Sequence, residues 1–102
     1  MLELRPNCEM CDKDLPPHAL DARICSYECT FCAVCVDVVL KNVCPNCAGG
    51  FVPRPIRPQQ DRRTGVSLKH QKASTQRRSL KYSLEDIARQ TDATKDIAPQ
   101  DR

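Results

Sequence analysis

Along "CAVCVDVVLKNV", from Cys32 to Val43, apolar residues fall at Val36, Val39, Leu40 and Val43. This is the i, i+3, i+4, i+7 spacing of one helix face, with Asp37, Lys41 and Asn42 on the other side. The valines lower helix propensity, but the polar opposite face predicts a helix after Cys35 rather than a strand. Upstream, "ARIC" and "CTFC" flank "SYE" and predict a short hairpin with Ile24 and Phe31 turned inward. Pro6, Pro16 and Pro17 disfavour regular structure on either side of Cys8-Glu-Met-Cys11, a two-residue-spaced turn of the metal-knuckle type. "VCPNCAGG" is a second such turn, ended by Gly49 and Gly50.

Beyond Val52 the pattern fades. "PRPIRP" favours extended polyproline conformation, and residues 54–82 hold nine Lys or Arg against Asp61 alone, among many Gln, Ser and Thr. The composition reads as a disordered basic linker. The last element is "SLEDIARQTDA", a helix over 84–92 capped by Ser83 with Asp86 three residues on, and with Leu84, Ile87 and Ala88 as a small apolar face. Three turns are marginal alone, so this helix needs a surface to dock on. The organisation expected is a folded module over 1–52, a disordered linker over 53–82 and a tail over 83–102.

Composition sharpens the picture of the module. All eight cysteines of the 102 residues fall between Cys8 and Cys47. A folded unit near this size is marginal on apolar burial alone and needs disulfides, metal or partners as staples. The start, "MLELRPNCEM", lacks an apolar signal core, and the best apolar run, "AVCVDVVL", is short and broken by Asp37. The expectation is a cytoplasmic chain without a membrane span, where thiols stay reduced and cysteine pairs hold metal or do redox chemistry. Charge divides as well: residues 1–50 carry minus three and residues 51–102 plus six, for a total of plus three. Eight thiolates around two divalent ions would bring that total to minus one.

Written out, the cysteine pattern is C-x2-C-x13-C-x3-C-x2-C-x2-C-x8-C-x2-C. A C-x2-C turn offers two thiolates to one tetrahedral zinc, and two turns complete a site. Four pairs imply two ions. Sequential pairing joins Cys8, Cys11, Cys25 and Cys29, then Cys32, Cys35, Cys44 and Cys47. Interleaved pairing joins Cys8, Cys11, Cys32 and Cys35, then Cys25, Cys29, Cys44 and Cys47. Spacing alone does not choose between them. Disulfides fit the compartment less well, a redox dithiol usually stands alone at a helix start, and paired knuckles suit zinc better than an iron–sulfur cluster.

The same residues resemble a RING finger over 8–47. Met10 precedes the second cysteine, Phe31 the fifth, a helix follows the sixth, and Pro45 follows the seventh. The chain departs from that family in having Cys29 where most members have His, and C-x3-C where C-x-H is usual. The resemblance implies a small zinc-stabilised α+β fold of treble-clef, cross-brace type, with Cys8, Cys11, Cys32 and Cys35 on one zinc and Cys25, Cys29, Cys44 and Cys47 on the other. At finer grain, "LRPNCEMCDKDLPP", "ARICSYECTFCAVC" and "CPNCAGGFVPRPIRP" resemble a bacterial family of small proteins known as domain of unknown function twelve-seventy-two, over residues 2–58. That likeness implies a zinc-bound fold in a bacterial cytoplasm and no activity.

Four protein ligands per ion leave no open position, which marks structural zinc. No nucleophile–base pair, phosphate loop or paired carboxylates stand in the sequence, so neither an enzyme nor a small-molecule substrate is expected. Ser26, Tyr27 and Glu28 are read as turn formers beside the thiolates. The leading expectation is a protein-interaction module that presents Met10, Pro45 and the helix Val36 to Val43 to an unidentified protein. A RING-type ubiquitin ligase is an alternative that the resemblance implies, weakened by Ala48 where active ligases often carry Arg and by the lack of a Trp before Cys44. A further alternative is nucleic-acid binding through Arg54, Arg57, Arg62, Arg63, Lys69, Lys72, Arg77, Arg78 and Lys81, with steep salt dependence. Such a run is by default a solvated linker, and it can also fold back on its own acidic module. Metal storage or sensing ranks last, since closed sites retain their ions. His18 and His70 are read as loop residues without a role.

Overall fold

The structure, a computed structural model, describes residues 1–102. Three short strands form one antiparallel sheet, and one α-helix lies near the C-terminal end. The predicted hairpin is present as β1 (Ala22–Ile24) against β2 (Thr30–Cys32), with Ile24 opposite Thr30 and Ala22 opposite Cys32. Side chains alternate across a strand, so Ile24 and Phe31 lie on opposite faces of the ladder, and both are buried. Phe31 stands in the core, its ring edge-on to Phe51 at 5.3 Å between centroids.

A third strand, β3 (Val52–Pro53), pairs with the other side of β1, placing Val52 opposite Ile24. Two residues, one of them proline, carry no strand pattern. The ladder forms because Arg54 N–H continues it to Ala22 O at 3.0 Å, and proline, lacking a donor, is tolerated at a sheet edge.

The helix expected after Cys35 is shorter and wider than its apolar spacing suggested. Cys35–Val39 form a single π-helical turn in which Leu40 N–H donates to Cys35 O at 2.8 Å. Lys41 and Asn42 then enter the left-handed region at φ 49° and 62°, which ends the turn. The five-residue hydrogen-bond step shifts the angular phase of the side chains. Val36, Leu40 and Val43 are buried as expected, but Val39 is turned out and 41 % exposed.

The basic segment 53–82 also departs from expectation. It follows a defined course over the module rather than a solvated one. Arg54, 4 % exposed, donates to the carbonyls of Arg5, Leu15 and Pro16 at 2.7, 3.1 and 2.8 Å. Arg57 donates to Leu2 O at 2.9 Å and to Gln71 O at 2.7 Å. Ser67, fully buried, donates its hydroxyl to Asp61 and organises the loop between these arginines and residue 71. Composition treats arginine as a solvated charge; here the guanidinium groups meet fixed acceptors.

The tail helix α1 (Leu84–Thr94) starts where Ser83 Oγ accepts from Asp86 N–H at 3.1 Å, and it runs two residues past the expected end. Its inward face is Ile87 with Thr91, one turn apart, whereas Leu84 and Ala88 are exposed. Ile87 belongs to the same buried cluster as Phe31, Leu40 and six of the cysteines. A single 3-10 turn (Pro99–Asp101) follows, and Arg102 donates to Asn42 O at 2.7 Å and Ala48 O at 3.1 Å.

Candidate metal centres

Two of the four cysteine pairs sit on near-identical turns. In the first, Asp12 N–H donates to Cys8 O at 2.9 Å and Asp12 adopts φ 65°. In the second, Ala48 N–H donates to Cys44 O at 2.7 Å and Ala48 also adopts φ 65°. The left-handed residue after the second cysteine turns the backbone so that amides face the sulfurs. Cys11 N–H points at Cys8 Sγ at 3.5 Å, and Gly49 N–H at Cys47 Sγ at 3.4 Å.

The other two pairs come from the hairpin. Cys25 and Cys29 flank its turn, where Tyr27 N–H lies 3.4 Å from Cys25 Sγ and Glu28 takes φ 68°. Cys32 ends β2 and Cys35 opens the π-turn, so β2 carries one pair at each of its ends.

The fold brings these pairs together in crossed order. The sulfurs of Cys8, Cys11, Cys32 and Cys35 all lie within 4.8 Å of one another, and so do those of Cys25, Cys44 and Cys47. Cys29 falls outside the second group's mutual limit. Its sulfur accepts from Asn46 Nδ2 at 3.4 Å. All eight cysteines are free, so the structure contains no disulfide.

These donor sets fit a metal ion. Four sulfurs about 2.3 Å from a tetrahedral zinc stand about 3.8 Å apart. Cys11 and Cys32 are separated by 3.8 Å. In the first group only Cys11 is exposed; in the second, Cys25 and Cys44 are buried and Cys47 half-buried. The thiols also share protons unevenly. Hydrogen bonds from Cys29 and then Cys44 pull the Cys25 thiol down to about 3, and the same contact with Cys25 pushes Cys44 up. Burial, and then the contact with Cys32, raises Cys35. A group of neighbouring thiols is suited to take a cation in place of its protons.

Several residues that position these clusters carry no sequence motif. Glu9, 6 % exposed, donates its N–H to Thr30 O at 3.0 Å and accepts Thr30 N–H on its carboxylate at 2.6 Å. Arg5 pairs with the same carboxylate at 3.0 Å. The first knuckle is thereby fastened to the outer edge of β2. Asn46, inside the last C-x2-C, was legible only as a turn residue. His18 is exposed and belongs to neither cluster, and His70 pairs with Asp61 at 2.9 Å on the surface.

A small α+β fold with two cysteine clusters able to hold metal ions defines the class of this protein. The chain belongs to the family described as protein of unknown function (DUF1272), whose model matches residues 1–57. It is 62 % identical over 58 residues to the uncharacterized protein R02474 of Rhizobium meliloti (strain 1021), a match that spans 57 % of this chain and 69 % of the relative. No solved structure matches the chain. No helix is long and apolar enough to cross a membrane.

Proposed function

We propose that this protein is a two-zinc module of RING-like, cross-brace type, in which the metal is structural and the folded surface binds another protein. The observation that carries the reading is the crossed grouping of thiols, the first pair with the third and Cys25 of the second pair with the fourth. In that order neither half of the module closes without the other. Cys8, Cys11, Cys32 and Cys35 hold the first zinc, and Cys25, Cys29, Cys44 and Cys47 the second, with Cys29 closing on the ion from its position beside Cys25. Four soft thiolates favour zinc over harder cations and leave no open position for catalysis, so the protein is not an enzyme. Eight free thiols support a reducing compartment such as the cytoplasm.

Native mass spectrometry of protein purified without added metal, with thiols counted by alkylation after denaturation, tests this. Two zincs and eight alkylated thiols are expected. One zinc, or fewer than eight thiols, would mean a different fold chemistry and withdraw the RING comparison.

Nucleic-acid binding keeps one supporting observation, the exposure of Arg62, Arg63, Lys69, Lys72 and Lys81. Against it, Arg54, Arg57, Arg77 and Arg78 are engaged by the module itself. An intact protein that gives no gel shift at low salt removes this reading. A ligase role has the least support, because Ala48 stands in place of the arginine that the resemblance calls for.

A further inference from the structure

Residues 74–87 lie in a groove of the module, and the contacts there are those of a bound peptide. Ser74 N–H donates to Leu4 O at 3.0 Å, and Leu80 N–H donates to Glu9 O at 3.0 Å. Between them Asn7, 1 % exposed, makes a reciprocal pair with Arg78: Asn7 Nδ2 donates to Arg78 O at 2.7 Å, and Arg78 N–H donates to Asn7 Oδ1 at 3.1 Å. A buried amide that reads both backbone polar groups of one residue fixes the chain in register.

Side chains add selectivity to this backbone grip. Arg77 reaches Asp12 and Asp14, each at 2.7 Å, and Arg78 reaches Glu3 at 3.3 Å. Leu80 packs against the core and Ile87 is part of it. The groove and its occupant also differ in family coverage. Every groove residue named here lies within the family match over 1–57, and the occupant lies outside it. The connection between them passes through the exposed stretch at Arg62, Arg63 and Thr64.

We propose that this groove is a peptide-docking site whose ligand is an extended segment with two adjacent arginines, a leucine two residues further on, and an apolar residue on a following helix, and that residues 74–91 occupy it in cis. The proposal rests on the interaction-module reading, for which it names the surface and the chemistry of the partner. The bound tail is both a model of that partner and its competitor.

The test uses the full chain with a protease recognition site inserted between Arg62 and Arg63, cleaved after folding. A labelled synthetic peptide of residues 72–96 is added in excess and followed by anisotropy and native mass spectrometry. The expected result is that the cleaved tail stays bound until the labelled peptide replaces it, and that unlabelled peptide reverses the signal. Peptides carrying Leu80→Ala or Ile87→Ala should bind about tenfold or more weakly. A peptide with Arg77→Glu and Arg78→Glu should lose affinity by an amount that shrinks as salt rises. The proposal is overturned if the peptide never enters, if the cut tail never exchanges, or if a scrambled peptide of equal composition binds as well. The same spectra report the metal. A module with two zincs and no peptide sinks the groove and leaves the zinc reading standing, whereas a module with peptide and no zinc does the reverse.

Discussion

The Glu9 carboxylate shows how one residue outside any motif can set a site. It is almost fully buried, and one of its oxygens, Oε2, accepts from both the Thr30 amide and the Arg5 guanidinium. Because Thr30 begins the strand that ends at Cys32, Glu9 aligns Cys8 and Cys11 with their partners across the cluster. Replacing it by glutamine can leave a carbonyl oxygen in the same place but removes the negative charge that pairs the largely buried Arg5 guanidinium. Glu9→Gln should therefore cost about 2 to 4 kcal/mol of unfolding free energy in urea denaturation of the metal-loaded protein. A loss below the error of the measurement would mean that the ion pair is dispensable. Arg54 makes a second case. Its guanidinium spans three carbonyls, and burial lowers its pKa from the ordinary guanidinium value, with the charge of Asp21 acting the other way. Lysine retains the charge and loses the fork that reaches all three, so Arg54→Lys should cost about 1 to 3 kcal/mol. A lysine variant as stable as the parent would make Arg54 a mere surface cation.

At the scale of elements, the π-turn offers the clearest contrast between pattern and structure. Apolar spacing over Val36, Val39, Leu40 and Val43 fits a regular helix, in which Val39 and Leu40 would both face inward. In the wider turn Leu40 is fully buried and Val39 is turned out. Leu40→Ala should then cost about 2 to 4 kcal/mol, whereas Val39→Ala should stay within about 0.5 kcal/mol of the parent. Equal losses at the two positions would favour the regular helix. The hairpin was legible because cysteine spacing and apolar residues agreed on its two strands and its turn. The π-turn was not, since a search for a 3.6-residue period has no place for a five-residue step. β3 was hidden because two residues form no pattern, and the inward face of α1 because it pairs Ile87 with a threonine rather than with Leu84 or Ala88. Likewise, the left-handed turns after Cys11 and Cys47 use Asp12 and Ala48, so no glycine flags them.

For the molecule as a whole, the separation of charge was plain in the sequence, but its consequence was one alternative among several. An acidic module and a basic tail attract at any register; the register here comes from Asn7, the Leu4 and Glu9 carbonyls and the burial of Ile87, none of which composition reveals. The grouping of thiols was undecided by spacing for the same reason: pairs are local, and which pairs meet depends on how the hairpin stands against the knuckles. That crossed order makes a global prediction. Each proposed site joins a knuckle to the hairpin, and Ile87 of the tail packs into the same cluster as the ligands. Structural zinc contributes about 10 to 16 kcal/mol of apparent binding free energy per site in peptide models, as much as the entire stability of a typical domain, about 5 to 15 kcal/mol. One lost site is then enough to unfold the module. Cys44→Ser should bind fewer than two zincs and lose amide protection in hydrogen exchange over residues 20–47, and protection of α1 should fall with it because its docking surface is gone. A variant that keeps two zincs and unchanged protection would remove Cys44 from the ligand set. Loss confined to residues 44–50, with the hairpin intact, would instead mean that the two centres fold independently and that the crossed pairing does not bind the module into one unit.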